Sequence, residues 1–302
     1  MNPARIRAYL FLTIAVLIWG FAAIVIKVTL NELPPFVFLA YRFLLTSLIM
    51  VPIALARKVH LPKTGKGIIT LLLVGIFGTT INIGFLFYGL KYTTVADSAI
   101  IGATAPLVVI FAGMILFKEH VTKREKIGVI ITIIGTLLLT IQPVFETNIG
   151  VGSRIFGNVL IVLSNLGWVG YVLLSKNLLK ERIDPFLVTT VEFVVGFVTI
   201  LPLAFLEIHS FSGILTIIVN SSLNAHLGVI YMAIFSGSIA YYLYEKGQKT
   251  IEASEAALFI YLQSIFSILF AIIFLNEAIT VPFLIGSAVV VFGVVTAEWK
   301  KK

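Results

Sequence analysis

The sequence predicts an all-α integral membrane protein of ten transmembrane helices, arranged as two inverted five-helix repeats. Three observations carry that expectation. The chain is 59% hydrophobic and 12% charged, with a mean hydropathy of +1.08, far from the make-up of a soluble domain. Ten apolar stretches run through it, most of them near the ~20 residues a helix needs to cross a hydrocarbon core about 30 Å thick. The chain also repeats itself. Trp19 and Lys27 recur as Trp168 and Lys176, and Pro35-Phe36, Arg42-Phe43 and Pro52 recur as Pro185-Phe186, Glu192-Phe193 and Pro202. Gly89, Ala99, Glu119, Gly128 and Gly135 then recur as Gly247, Ala257, Glu277, Gly286 and Gly293, after a longer loop in the second copy. Five crossings per copy turn the second copy upside down, the arrangement that lets two halves rock about a shared site. The expected units are 1–150 and 151–302.

The first span, near 9–30, follows Arg5 and Arg7 as a secretory leader would. Its apolar run from Ala8 to Ile26 is longer than the ~7–15 residues of a leader's core, and it matches the sixth span, so it is expected to stay as a helix of the mature protein. The second span (36–56) starts behind Pro35 and the third covers 67–90. The fourth (97–117) sets Ala99, Gly102, Ala103 and Pro106 on one face. Pro106 has no N–H for the Gly102 carbonyl, so a kink is expected there, with the freed carbonyl beside water or solute. The fifth (126–142) carries Gly128 and Gly135 seven apart, a spacing that suits close packing. The sixth covers 155–175. The seventh (186–206) is announced by Asp184-Pro185, an N-cap acceptor followed by proline at the first helical position. The eighth covers 227–247. The ninth (255–275) places Ala257, Ile260, Tyr261 and Ser264 where the fourth has its small residues. The tenth (282–298) repeats the glycine pair as Gly286 and Gly293. Short connections make spans 1 and 2, 3 and 4, and 9 and 10 antiparallel neighbours. Strands are a poor alternative, because the segments are uniformly apolar rather than alternating.

The formal charge of +8 points to orientation rather than to nucleic acid. All of the Lys and Arg residues except Lys27, Arg42, Lys91 and Arg154 fall on one side of this arrangement, which places both termini in the cytoplasm. With no cysteine there are no disulfides or thiolate metal sites. His60, His120, His209 and His226 sit in loops or at span ends, so no metal cluster and no cofactor is expected. A membrane-embedded enzyme would need a buried nucleophile with a base, and Asp97, near the start of span 4, has no evident partner. A receptor-like or structural membrane protein gives no reason for the inverted repeat, and a channel would need a ring of charges or a filter loop. No nucleotide-binding motif points to ATP.

Trp19-Gly20, the stretch from Pro35 to Arg42-Phe43, Pro106-Leu107, Phe117-Lys118-Glu119 and Gly128 with Gly135 resemble the drug/metabolite transporter superfamily, and within it the EamA-type ten-span permeases. Trp168, Pro185, Leu275-Asn276-Glu277 and Gly286 with Gly293 extend the resemblance to the second half. It implies an inner-membrane carrier of small metabolites, often an exporter, with a central cavity lined by spans 1, 3, 4, 6, 8 and 9. The chain departs from strict duplication in having Ser264 opposite Pro106 and Glu192 opposite Arg42.

Polar groups at membrane depth are the candidate site. Trp19, Asn82, Asn165, Trp168, Tyr241 and Gln263 lie near mid-span, away from the interfaces where aromatic residues collect. Indoles and amides there suit a small polar or amphipathic solute, and equally suit interhelical hydrogen bonds. Gly102, Pro106, Tyr261 and Ser264 join them as cavity lining. Arg42 and Glu192 are the costliest residues, at ~2.5–3.5 kcal/mol even on insertion scales. Inversion puts them in opposite leaflets, so a direct salt bridge is not assured. An anion-attracting Arg42 and a proton- or cation-coupling Glu192 stand beside snorkelling and structural pairing. Glu119 and Glu277 lie at span ends, as capping or gating contacts.

The expected activity is secondary transport by alternating access, moving amino acids or similar amphipathic metabolites outward, with proton or ion coupling open and either a monomer or a dimer allowed. Nucleotide-sugar or sugar-phosphate exchange, the other carrier reading, would call for several basic residues in the cavity.

Overall fold

Lipid offers the backbone no hydrogen-bond partner, so each spanning segment must satisfy its own peptide groups, and every regular element among the described residues is helical. The computed structural model describes residues 3–109, 112, 123–145, 150–251, 256 and 258–298. The Phe117-Lys118-Glu119 motif, His120, Ala257 and Lys300 to Lys302 lie outside the described residues. The helices are α1 (Pro3–Thr29), α2 (Pro35–Ala56), α3 (Gly65–Tyr92), α4 (Val95–Val109), α5 (Lys123–Ile141), α6 (Val151–Lys180), α7 (Pro185–Ile208), α8 (Phe211–Asn220), α9 (Leu223–Thr250), α10 (Phe259–Leu275) and α11 (Val281–Glu298). Six of them, α1, α2, α3, α6, α7 and α9, are long and apolar enough to cross a membrane by length and composition. The remaining five are shorter apolar helices.

The helix starts follow from local chemistry. Asp184 accepts the Phe186 N–H at 2.8 Å ahead of Pro185, as the sequence predicts. Thr64, Thr94, Ser210 and Ser222 cap α3, α4, α8 and α9 in the same manner. The cap at Ser210 corrects one expectation. Residues 211–220, read from the sequence as part of a long loop, form a ten-residue helix that buries Ile214 and exposes Phe211, Leu215 and Val219. Asn276 ends α10 in the left-handed conformation at φ 52°, which asparagine tolerates better than most residues.

Two helices depart from α geometry, α3 over Ile76–Ile83 and α9 over Met232–Tyr241, both as π-helix. A π turn bonds the carbonyl of residue i to the N–H of residue i+5 in place of i+4. Hydroxyls add to the bonding there: Thr79 Oγ1 donates to the Gly75 carbonyl at 2.6 Å, and Ser238 Oγ to the Ala233 carbonyl at 2.9 Å.

Packing pairs α2 with α7 and α5 with α11, sets α1 against α9 and α10, and sets α6 against α3 and α4. The expected glycine contacts are there: a side chain at Gly135 would meet the Val290 backbone, one at Gly286 would meet Leu139, and one at Gly293 would meet Thr132. Polar contacts tie the ends of the bundle. Arg57 pairs with Asp184 at 3.6 Å at one end of α2 and α7, and Glu207 accepts the Phe36 N–H at 3.0 Å at the other. Lys27 donates to the carbonyls of Leu90 and Thr93, and Lys176 to those of Gln248 and Ile251. Large apolar side chains such as Leu48, Leu55, Leu206 and Ile273 point outward, the surface a lipid-facing bundle presents.

Gly135→Ala puts a methyl 2.7 Å from the Val290 backbone nitrogen, which cannot give way as a side chain would. The substitution is expected to cost about 1–3 kcal/mol in thermal unfolding of detergent-solubilised protein. Gly102→Ala, where nothing lies within 4 Å of the added carbon, is expected to leave that transition unchanged.

Candidate functional site

The π-helical stretch of α9 organises the centre of the bundle, because its carbonyls accept from side chains of two other helices. Trp19 Nε1 donates to the Ser236 carbonyl at 3.1 Å. Arg42 Nε donates to the Met232 carbonyl at 3.0 Å, and Nη2 reaches Ser236 Oγ at 3.4 Å. Arg42 is 2% exposed and is packed among the rings of Phe43, Phe87 and Phe193, each 5.5–5.7 Å from the guanidinium carbon. Among the described residues no carboxylate lies within ion-pair distance of it.

Beside Arg42, aromatic rings close a layer across the bundle. Trp19 meets Trp168 edge-on at 5.6 Å, Tyr241 at 4.9 Å and Tyr244 at 5.3 Å, and Trp168 meets Tyr171 at 5.1 Å. A cavity of about 130 Å³ lies against one side of the layer, walled by α1, α2, α3, α4, α6, α9 and α10. Its outer lining, Ile26, Leu90 and Val95, belongs to the end of the bundle where α1 stops and α2 starts. Arg42 therefore adds α2 to the helices expected to line the cavity.

Of the residues expected at the site, Trp19, Arg42, Asn82, Gly102, Asn165, Trp168, Tyr241, Gln263 and Ser264 share this cavity. Pro106 is buried beside it, while Glu192 and Tyr261 are not among its lining residues. The two asparagines also make interhelical bonds. Asn82 Nδ2 donates to the Ser164 carbonyl at 2.9 Å, and Asn165 Nδ2 to the Ile101 carbonyl at 2.8 Å and Thr104 Oγ1 at 3.1 Å. The second bond answers the kink expected from Pro106, since α4 opens into a turn at Ala103 and Thr104. Trp168 Nε1 is buried with no acceptor, which leaves an indole donor in the cavity wall.

Two features were not read from the sequence. Asp97, expected to lack a partner, is fully buried and grips Arg154: Nε reaches Oδ2 at 2.8 Å and Nη2 reaches Oδ1 at 3.0 Å. Gln142, Asn158 and Thr93 complete its hydrogen bonds. A bidentate guanidinium with all lone pairs answered is the arrangement that makes a buried carboxylate tolerable. Glu245, near the end of α9, is fully buried behind the aromatic layer, where Tyr171 OH donates to its Oε1 at 2.5 Å. The signal was an acid directly after Tyr241-Tyr242-Leu243-Tyr244, at the end of an apolar run.

The sequence profile of the EamA-like transporter family matches this chain over residues 6–141 and again over 155–297. The chain belongs to that family. Among its relatives, the uncharacterized transporter YetK of Bacillus subtilis (strain 168) is 26% identical over 299 residues, covering 99% of this chain and 88% of the relative. An uncharacterized transporter of Archaeoglobus fulgidus is 28% identical over 289 residues, covering 95% of this chain and 96% of its own. A crystal structure at 20% identity superposes with a TM-score of 0.66 over 96% of both chains, a likeness of fold. As an EamA-like transporter the chain is a multi-pass membrane protein with a small-molecule substrate, and its family and relatives point to transport rather than catalysis.

Asp97→Asn removes the carboxylate charge that grips Arg154, and a buried pair broken on one side costs about 3–5 kcal/mol. The variant is expected to unfold earlier in detergent by that order. Asp97→Asn with Arg154→Met is expected to recover part of the loss, and the double-mutant cycle measures the coupling.

Proposed function

We propose that this EamA-like transporter is a secondary carrier that moves small amphipathic solutes bearing a carboxylate, amino acids among them, outward by alternating access. The observation that carries the reading is the cavity wall itself: an apolar aromatic surface, a buried guanidinium with no carboxylate partner, and an indole N–H with no acceptor. Arg42 is the only charged residue in that wall among the described residues. One cation suits one carboxylate; a nucleotide sugar or sugar phosphate would ask for more.

Ten crossings in two inverted halves, 1–150 and 151–302, complete the proposal. The double match to one family profile supports it, as do the paired lysines: Lys27 and Lys176 are repeat mates, and each holds two carbonyls at the end of the long helix it packs against. Both termini face the cytoplasm of a cell whose inner membrane holds the protein, by the bias of its basic residues. The cavity then opens toward the exterior, and the aromatic layer seals the cytoplasmic side.

Reconstituted protein is expected to accumulate a radiolabelled amino acid or related carboxylate saturably; conversion of the solute to another compound would point to an enzyme. Arg42→Lys keeps the charge but loses the planar fork, so it is expected to transport with about tenfold weaker apparent affinity. Arg42→Leu is expected to reach the membrane and transport poorly, and wild-type affinity in that variant would end the role assigned to Arg42. For orientation, a single cysteine at Lys63 is expected to resist an impermeant thiol reagent in intact cells, and one at Asn220 to react. The reverse pattern would sink the topology.

A further inference from the structure

Glu192 is the least explained residue in the bundle. It is fully buried, and among the described residues neither carboxyl oxygen has a hydrogen-bond partner. Its side chain fills the space that a side chain at Gly78 would take, against the ring of Tyr171. Gly78 lies in the π-helical stretch of α3, so a helix irregularity and a missing side chain together make the socket. The same tyrosine turns its hydroxyl to the second buried acid, Glu245, whose Oε2 also lacks a partner. Both acids lie beyond the aromatic layer from the cavity, in turns leading to the end where α1 begins.

The charged and titratable groups facing the two acids are few. Among the described residues, Arg42 approaches from α2, Tyr171, Ser175 and Lys176 from α6, and Tyr241 and Tyr244 from α9, while α3 presents Gly78 and Thr79. Arg42 directs Nε and Nη2 to Met232 and Ser236, and Lys176 directs its ammonium to the carbonyls of Gln248 and Ile251. A carboxylate ion with no hydrogen bond in a dry interior costs several kcal/mol, whereas the neutral acid costs only an unmade hydrogen bond. The contrast with Asp97, which has a partner for each oxygen, shows that this chain can satisfy a buried acid where the acid serves structure.

We propose that Glu192 and Glu245 form a proton-binding site, distinct from the solute cavity, that is loaded when this end of the bundle seals. Each carboxylate takes one proton from solution to become a neutral acid as water leaves, and returns it when the end opens. The sealed form then binds more protons than the open form, so acidification favours the sealed form and with it a cavity open at the opposite end. This adds a second ligand to the transporter reading, and the tests below need no transported solute, so either can fail alone.

Difference infrared spectra of the full chain in lipid, recorded as pH is raised, test the site directly. Wild type is expected to lose carbonyl-stretch intensity from protonated acids, part of it absent in Glu192→Gln and another part in Glu245→Gln. Gly78→Ala is expected to shift the first part only and Tyr171→Phe the second. No protonated-acid band in wild type would overturn the proposal, as would a band that both Gln variants leave intact or one that follows sodium concentration at fixed pH. The linkage is tested at constant pH with Ser175→Cys, buried on the same side, in this cysteine-free chain. Its alkylation by N-ethylmaleimide is expected to slow at least about threefold when both acids are replaced by Gln, which mimics the loaded site; an unchanged rate would remove the coupling to closure.

Discussion

Inside a membrane no backbone group can turn to water for a hydrogen bond, and the rest of this molecule follows from how it meets that constraint where its helices are irregular. The Met232 and Ser236 carbonyls in the π-helical stretch of α9 accept from Arg42 and Trp19. At the turn in α4 the Ile101 carbonyl accepts from Asn165 as well as from Thr104. The helix ends near Thr93 and Ile251 are answered by Lys27 and Lys176. In each case the side chain that repairs one helix comes from another, so the repair also fixes where two helices meet. Three of these donors, Trp19, Arg42 and Asn165, face the cavity, and a site of this kind is largely a by-product of backbone satisfaction.

The same accounting separates the buried charges. Asp97 and Arg154 meet in a bidentate pair with amide and hydroxyl support, and this costs little beyond desolvation because every charge has an answer. Arg42 is met by a carbonyl, a hydroxyl and three aromatic faces, which hold a cation without neutralising it. That leaves it able to receive an anion. Glu192 has neither kind of partner. The three situations rank the charges by how much of their burial the fold itself accounts for: fully for Asp97, in part for Arg42 and least for Glu192.

The all-helical membrane class was legible at once, since composition and apolar run lengths hardly admit another solution. Helix starts at Asp184-Pro185, glycine packing between α5 and α11 and the break beside Pro106 were legible because each depends on neighbours in sequence. The cavity was legible in outline, as polar residues at mid-span are too costly to be scattered without cause, and most of those picked out do meet there. The π-helical stretches were not, because a π turn has no residue signature and arises from tertiary demand. The Asp97–Arg154 pair was missed for a subtler reason. Asp97 looked like an acid without a partner at the start of a span and Arg154 like a charge ahead of one, yet Arg5 stands 149 residues before Arg154 and Glu255 stands 158 after Asp97, the same shifts that relate the two tryptophans and the paired glycines. Recurrence of both members of the pair was a signal in the sequence that reading single residues passed over.

On the inverted-repeat reading, the most telling position is one where the copies disagree in charge. Several other repeat mates keep their chemistry, with tryptophan matched by tryptophan and lysine by lysine, and such matches favour neither orientation of the bundle. Arg42 and Glu192 break the equivalence: the guanidinium borders the open cavity, and the carboxyl lies behind the aromatic layer with Glu245. Glu245 deepens the difference, since its repeat mate is Phe87, one of the rings packed on Arg42. A symmetric pair of halves would make its two end states alike in energy and in what they bind. Placing the cation by one half and both acids by the other makes the two states differ in charge and in protons held, and a difference of that kind is what a carrier needs if solute and pH are to bias it in a definite direction.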